Sequence, residues 1–154
     1  EMITEYKPTC VDPAPRIIPI PAACPKAVHE DLLGVFSLYW LDANAASNRL
    51  RAAVEHLLDC LEIPRTKIKR DGTDRRLGLN ERLDHADVPA NIHEPLAALK
   101  WLGNAGSHGD DVTRATLLNG LELLHLILDE VLRPRHEQMQ DLVEKINKQH
   151  APTS

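Results

Sequence analysis

One stretch of the chain combines the residue types best suited to acid–base and phosphate chemistry. It runs Leu96-Ala-Ala-Leu-Lys-Trp-Leu-Gly-Asn-Ala-Gly-Ser-His108 and begins as an apolar helix. If that helix continues, Lys100, Asn104 and His108 fall at i, i+4 and i+8 and form one polar stripe. Histidine exchanges protons near neutral pH, and an asparagine amide can orient it or bind a phosphate oxygen. These three residues are therefore the predicted catalytic site.

Two glycines within this stretch need a structural explanation. Gly103 and Gly106 each cost a helix about 1 kcal/mol relative to alanine. The pair therefore indicates either the close approach of another helix, which we predict at Gly103, or a helix end. In the second interpretation Gly106 ends the helix, and Ser107 and His108 satisfy its last carbonyl groups and its dipole.

The segment from residue 64 to 76 is the second candidate site. It carries six lysines and arginines against two aspartates, in a chain whose net charge is −5. Such a segment can hold phosphate groups, but it has no interleaved aromatic residue for base stacking. A solvated, flexible connection explains it at least as well. The predicted nucleic-acid-binding residues are Arg65, Lys67, Lys69, Arg70, Arg75 and Arg76, and Arg82 in a short helix from about Leu77 to Ala86 would extend this patch.

The composition predicts one all-α domain. Leucine and alanine are frequent, aromatic residues make up 3% of the chain, and Val, Ile and Thr show no long alternation. No apolar run approaches the roughly 20 residues that cross a membrane, and no signal-peptide pattern is present, so we expect a soluble, cytoplasmic protein. Cys10, Cys24 and Cys60 form no C-x-x-C pair. We therefore expect no disulfide, no metal and no other cofactor.

Proline and leucine spacing predicts the arrangement of the chain. Six prolines within residues 1–25 predict an extended arm that lies against the helical body. Apolar residues at spacings of three and four predict a helical bundle over residues 26–132, in which Asp110 and Asp111 cap the last long helix. A C-terminal helix and a polar tail follow over residues 133–154.

Two arginines on the second predicted helix are assigned structural roles. Arg49 and Arg51 lie on its polar face, and Arg51 stands four residues before Glu55. This spacing is typical of a surface ion pair that contributes a few tenths of a kcal/mol. The alternative is an inward role beside the glycine-containing helix.

Two segments of this sequence together resemble a known family. Ala98-Leu-Lys-Trp-Leu-Gly-Asn-Ala-Gly-Ser-His108 precedes a leucine-rich helix and follows Asn48-Arg-Leu-Arg-Ala-Ala-Val-Glu-His-Leu-Leu58. Over residues 18–132 the chain resembles the bacterial family called domain of unknown function 4145, which is similar to the HEPN superfamily of helical bundles. The shared signature is a Gly-Asn pair with a histidine four residues after the asparagine.

The resemblance implies an HEPN-like bundle that forms a homodimer and cleaves RNA without a metal, in phage defence or a toxin system. His108 matches the HEPN histidine and Asn104 matches the polar residue. The arginine position falls on Gly103, and Lys100, one turn earlier, offers a cation in its place. We therefore predict a domain that handles RNA or nucleotide phosphate. The alternative is a non-catalytic domain that dimerises or docks a fused or separate effector.

Overall fold

The computed structural model describes residues 12–108, 112–132 and 135–150, except for the side chains of residues 106–108, 135–138 and 149–150. Within these ranges the chain is mostly helical, which confirms the all-α prediction. The elements are, in order, α1 (Lys26–Tyr39), α2 (Ala43–Cys60), β1 (Thr66–Ile68), β2 (Asp74–Arg76), α3 (Leu79–Leu83), α4 (Ala90–His108), α5 (Arg114–Leu132) and α6 (Arg135–His150).

The second helix lies at the centre of the bundle. Its neighbours are α1, α4 and α5, and it also contacts the short α3. On α1, α2, α4 and α5, apolar residues three and four positions apart place one continuous face in the core. The largest side chains in this core are fully buried, and they include Phe36, Leu50, Leu57, Leu99, Leu121 and Leu124.

Local hydrogen bonds fix where two of the core helices begin. Asp42 caps α2, because its Oδ1 accepts hydrogen bonds from the backbone N–H groups of Asn44 at 2.9 Å and Ala45 at 3.0 Å. The hydroxyl of Thr113 accepts the N–H of Thr116 at 3.1 Å at the start of α5. The cap of α5 is therefore Thr113, and the aspartates predicted for that role, at positions 110 and 111, lie outside the described residues.

The basic segment forms a β-hairpin whose two strands are fully exposed to solvent. Its strands pair antiparallel, with Thr66 opposite Arg76 and Lys67 opposite Arg75. At the turn, Asp71 Oδ1 accepts the backbone N–H of Thr73 at 3.0 Å. The helix that follows is also shorter than predicted, since α3 covers only Leu79–Leu83.

The two ends of the described chain differ in burial. Residues 12–25 contain no helix or strand, and Ile18 is buried against the core while residues 1–11 of the expected arm lie outside the described part. On α6 the apolar side chains are more than half exposed, namely Met139, Leu142, Val143 and Ile146. In the described ranges, no helix combines the length and apolar character that a membrane crossing requires.

Candidate anion-binding cleft

Helices α2 and α4 approach each other closely where Arg51 passes Gly103. A Cβ atom added to Gly103 would lie 2.6 Å from Cβ of Arg51 and 3.2 Å from its Cδ. Carbon atoms normally approach no closer than about 3.5 Å. The close approach expected at Gly103 is therefore present, and the missing side chain makes room for the aliphatic stem of Arg51.

The guanidinium of Arg51 reaches across this contact to the predicted polar stripe. Its Nη1 donates a hydrogen bond of 2.6 Å to Oδ1 of Asn104, and its Nε lies 3.5 Å from Oε1 of Glu55. The i, i+4 ion pair expected within α2 is thus present, and the same arginine also turns inward to α4. Its side chain is about one-third exposed.

The other two members of the stripe lie on the same helix. Lys100 is 9% exposed, and its Nζ lies 4.2 Å from the ring centroid of Trp101. His108 is the last residue of α4, and its side chain lies outside the described residues. Because α4 continues past Gly106, the alternative that Gly106 ends the helix is wrong.

Two adjoining clefts open beside Arg51. The larger has a volume of about 410 Å³, and it lies between α2, the ends of the hairpin and α3. Its lining includes Arg51, Glu55, His56, Arg65, Arg76 and Arg82. The smaller, of about 340 Å³, lies between α3 and α4, and its polar lining is Arg51, Asn80, Glu81, Lys100 and Asn104. Arg51 is the charged residue common to both clefts.

Asp59 pairs with two of the arginines around the larger cleft. Its Oδ1 lies 2.7 Å from Nε of Arg65 and 2.7 Å from Nη2 of Arg82. The hydrogen bonds from Arg65, and secondarily those from Arg82, lower the pKa of the Asp59 carboxyl. Asp59 therefore ties the hairpin and α3 to the end of α2.

Arg82 does not extend the basic patch, contrary to expectation. It is only 4% exposed, and it donates hydrogen bonds to the backbone oxygens of Glu55 at 3.2 Å and Ile63 at 3.0 Å. Its buried Nε has no hydrogen-bond partner among the residues described. Arg82 is thus a buried structural cation, because three acceptors from α2 and the following turn surround it.

The six predicted nucleic-acid-binding residues do not form one surface. Neighbouring strand residues point to opposite faces, so Arg75 and Arg76 lie on different sides of the hairpin. Arg75 pairs with Glu81 at 2.5 Å, which lowers the pKa of the Glu81 carboxyl. Arg76 is exposed in the larger cleft, and it forms no ion pair with any described residue. Lys67, Lys69 and Arg70 are exposed along the hairpin and its turn.

Sequence analysis missed a buried carboxylate between α1 and α2. Asp31 is 2% exposed, and its oxygens accept from Nε of Arg49 at 2.9 Å and Nδ1 of His56 at 2.5 Å. The available signal was its position, since Asp31 interrupts the apolar face of α1 between Val28 and Leu32. The contact gives Arg49 its structural role and holds His56 at the wall of the larger cleft.

Metal ligation has no support in the described ranges. No group of three or more histidine, cysteine, aspartate or glutamate side chains is arranged there to hold an ion. The described cysteines, Cys24 and Cys60, are free thiols, and burial raises the pKa of each. The polar groups that line the clefts are arginine, lysine and histidine side chains, the amides of Asn80 and Asn104, and the carboxylates of Glu55 and Glu81.

The structure is that of a helical-bundle domain in which Arg51 lies between two polar clefts. A family model described as domain of unknown function (DUF4145) matches residues 35–149. The chain belongs to this family. Neither a search of curated proteins nor a search of solved structures found a match.

Proposed function

We propose that this protein binds the phosphate groups of RNA or nucleotides in the two clefts, with Arg51 as the central cation. The strongest support is the position of Arg51, which lines both clefts and donates a hydrogen bond of 2.6 Å to Asn104. An arginine has five donors in a planar fork that matches phosphate oxygens. Lys100 adds a second positive charge in the smaller cleft, and Arg76 adds one in the larger.

The same arginine supports a ribonuclease hypothesis. In the HEPN comparison the motif arginine falls on Gly103, and the stem of Arg51 crosses α4 at that glycine. In the proposed reaction His108 accepts the proton of a 2′-hydroxyl, and the 2′-oxygen attacks phosphorus to form a 2′,3′-cyclic phosphate. The bond from phosphorus to the 5′-oxygen breaks, and the leaving 5′-oxygen takes a proton from solvent. Arg51 and Lys100 stabilise the charge on the phosphate oxygens as it develops. The resemblance adds phage defence or a toxin system as the proposed setting.

RNA binding is tested with a charge-removing variant and a matched control. Arg51→Gln keeps most of the stem and removes the cation, whereas Arg16→Gln removes an exposed arginine that lines neither cleft. We expect Arg51→Gln to weaken binding of a fluorescent single-stranded RNA about tenfold, as lost charged hydrogen bonds do, and to flatten its salt dependence. Equal binding by the two variants, with circular dichroism showing both folded, would overturn the proposal.

Cleavage is tested separately, in buffer that contains EDTA. His108→Ala is expected to abolish cleavage of the RNA while anisotropy shows unchanged binding, because the histidine moves a proton and does not hold the phosphate. Cleavage that stops in EDTA, or that survives in His108→Ala, would show that the ribonuclease hypothesis is wrong. Phosphate binding at Arg51 would be unaffected by that result.

The exposed face of α6 supports the alternative function as an interaction domain. Met139, Leu142, Val143 and Ile146 recur at spacings of three and four, and each is at least 55% exposed. We propose that this face pairs with a second copy of the chain. Light scattering should then show a dimer at micromolar concentration and a monomer for Leu142→Glu. A monomeric parent protein would refute the pairing.

A further inference from the structure

Trp101 lies on the exposed surface of α4, between two residues of that helix that line the smaller cleft. Its side chain is 65% exposed, and it follows Lys100 directly and precedes Asn104 by three residues. Residues three apart on a helix are surface neighbours. Lys100 and Asn104 both line the smaller cleft, so Trp101 lies on the helix surface beside these two lining residues, although it is not part of the lining itself.

A single exposed aromatic ring is common on protein surfaces, but Trp101 is held by a neighbouring cation. The Nζ of Lys100 lies over the ring, 4.2 Å from its centroid. Such a contact is an electrostatic attraction to the ring face. The ammonium lies over one face of the indole, and the exposure of Trp101 leaves indole surface free for another planar group.

The other described tryptophan has a different environment. Trp40 directly follows the last residue of α1 and packs edge-on against Tyr39, with ring centroids 5.0 Å apart. It lines neither cleft. Trp40 is therefore a natural control for any role of Trp101 in ligand binding.

We propose that Trp101 stacks on the base of a nucleoside phosphate whose phosphate group is held by Arg51 and Lys100. This inference rests on the proposed phosphate binding. It narrows the ligand from phosphate groups in general to phosphates that carry a base. Stacking on an aromatic ring tolerates any base, because every base has a π face. The basic hairpin has no aromatic residue of its own from residue 64 to 76. Trp101, which lies on α4, supplies an aromatic ring that the hairpin lacks.

The test compares two ligands of equal charge by isothermal titration. One is a short oligodeoxyadenylate, and the other is an abasic backbone of the same length; neither has a 2′-hydroxyl to cleave. We expect the parent protein to prefer the adenylate about tenfold, in keeping with one stacked base. Trp101→Ala should bind both ligands as the parent binds the abasic one. Trp40→Ala should keep the full preference.

Fluorescence gives a second, site-specific measurement. The chain has two tryptophans, so Trp40→Phe leaves Trp101 as the sole indole fluorophore. Its emission should be quenched by the adenylate and should change little with the abasic backbone. A parent protein with no preference between the ligands, or a Trp101→Ala variant that retains the preference, would overturn the stacking proposal alone. If the parent protein binds neither ligand, both the stacking proposal and the proposed phosphate binding would be overturned.

Discussion

Gly103→Ala measures how tightly α2 and α4 are packed. The new methyl carbon would meet Cβ of Arg51 at 2.6 Å, about 1 Å short of normal carbon contact. Cβ of Arg51 cannot rotate away, because the backbone of α2 fixes it, so the helices must separate. Overpacking of this kind costs about 1–3 kcal/mol, and the gain in helix propensity returns about 1 kcal/mol. We expect a net loss of up to about 2 kcal/mol, which lowers Tm by up to about 8 °C for a chain of this size.

Gly120→Ala provides the matched control for this measurement. Its added Cβ would meet the ends of side chains and not a Cβ: Cδ2 of the half-buried Leu102, which can rotate, and Cδ2 of the buried Leu50 at 3.1 Å, which must give by a few tenths of an ångström. Urea denaturation followed by circular dichroism should therefore show a smaller loss for Gly120→Ala than for Gly103→Ala. Gly103→Ala should also weaken RNA binding, because separating the helices draws Arg51 away from Asn104. A Gly103→Ala protein as stable as the Gly120→Ala protein would refute the packing argument.

Three further variants test the stabilising contacts. Asp59→Asn should lose about 2 kcal/mol near neutral pH, where hydrogen bonds to charged groups contribute most. The pKa of the Asp59 carboxyl is lower in the folded state than in the unfolded state. The stabilisation is therefore fully present above the usual pKa of about 3.9 and is lost as pH falls through the folded-state pKa. Urea titrations of the variant and the parent should converge in acid. Asp42→Ala removes the cap of α2 and should cost about 1 kcal/mol by the same titration. Phe36→Ala empties a fully buried site and should cost about 3–5 kcal/mol, and a loss below 1 kcal/mol would contradict the described core.

The helices were predictable because apolar residues that become buried recur at a regular spacing along the chain. On α5 the buried residues Leu117, Leu121, Leu124 and Leu128 recur at three and four positions, and this period identifies a helix without any tertiary information. The hairpin had no comparable signal. Each strand is three residues long and wholly exposed, so no apolar alternation marks it.

The candidate site was predictable only in part, since its contacts join distant positions. The spacing of Lys100 and Asn104 predicted that they share a face, but Arg51 is 53 residues from Asn104. Only the crossing of α2 and α4 brings them together. Arg82 was misjudged for the same reason, because its sequence neighbours do not reveal the carboxylate and the two carbonyls that surround it.

The anchoring of Arg82 has a consequence for motion. This one side chain links α3 to α2 and to the turn at Ile63, while the hairpin between them is exposed. Segments with few buried contacts open locally at a lower free energy than the core. The hairpin amides should therefore exchange with deuterium sooner than those of α2, by an opening that leaves the bundle folded. A ligand bound between Arg51 and Arg76 would connect the hairpin to the helical bundle. Its binding should therefore slow deuterium exchange of the hairpin amides.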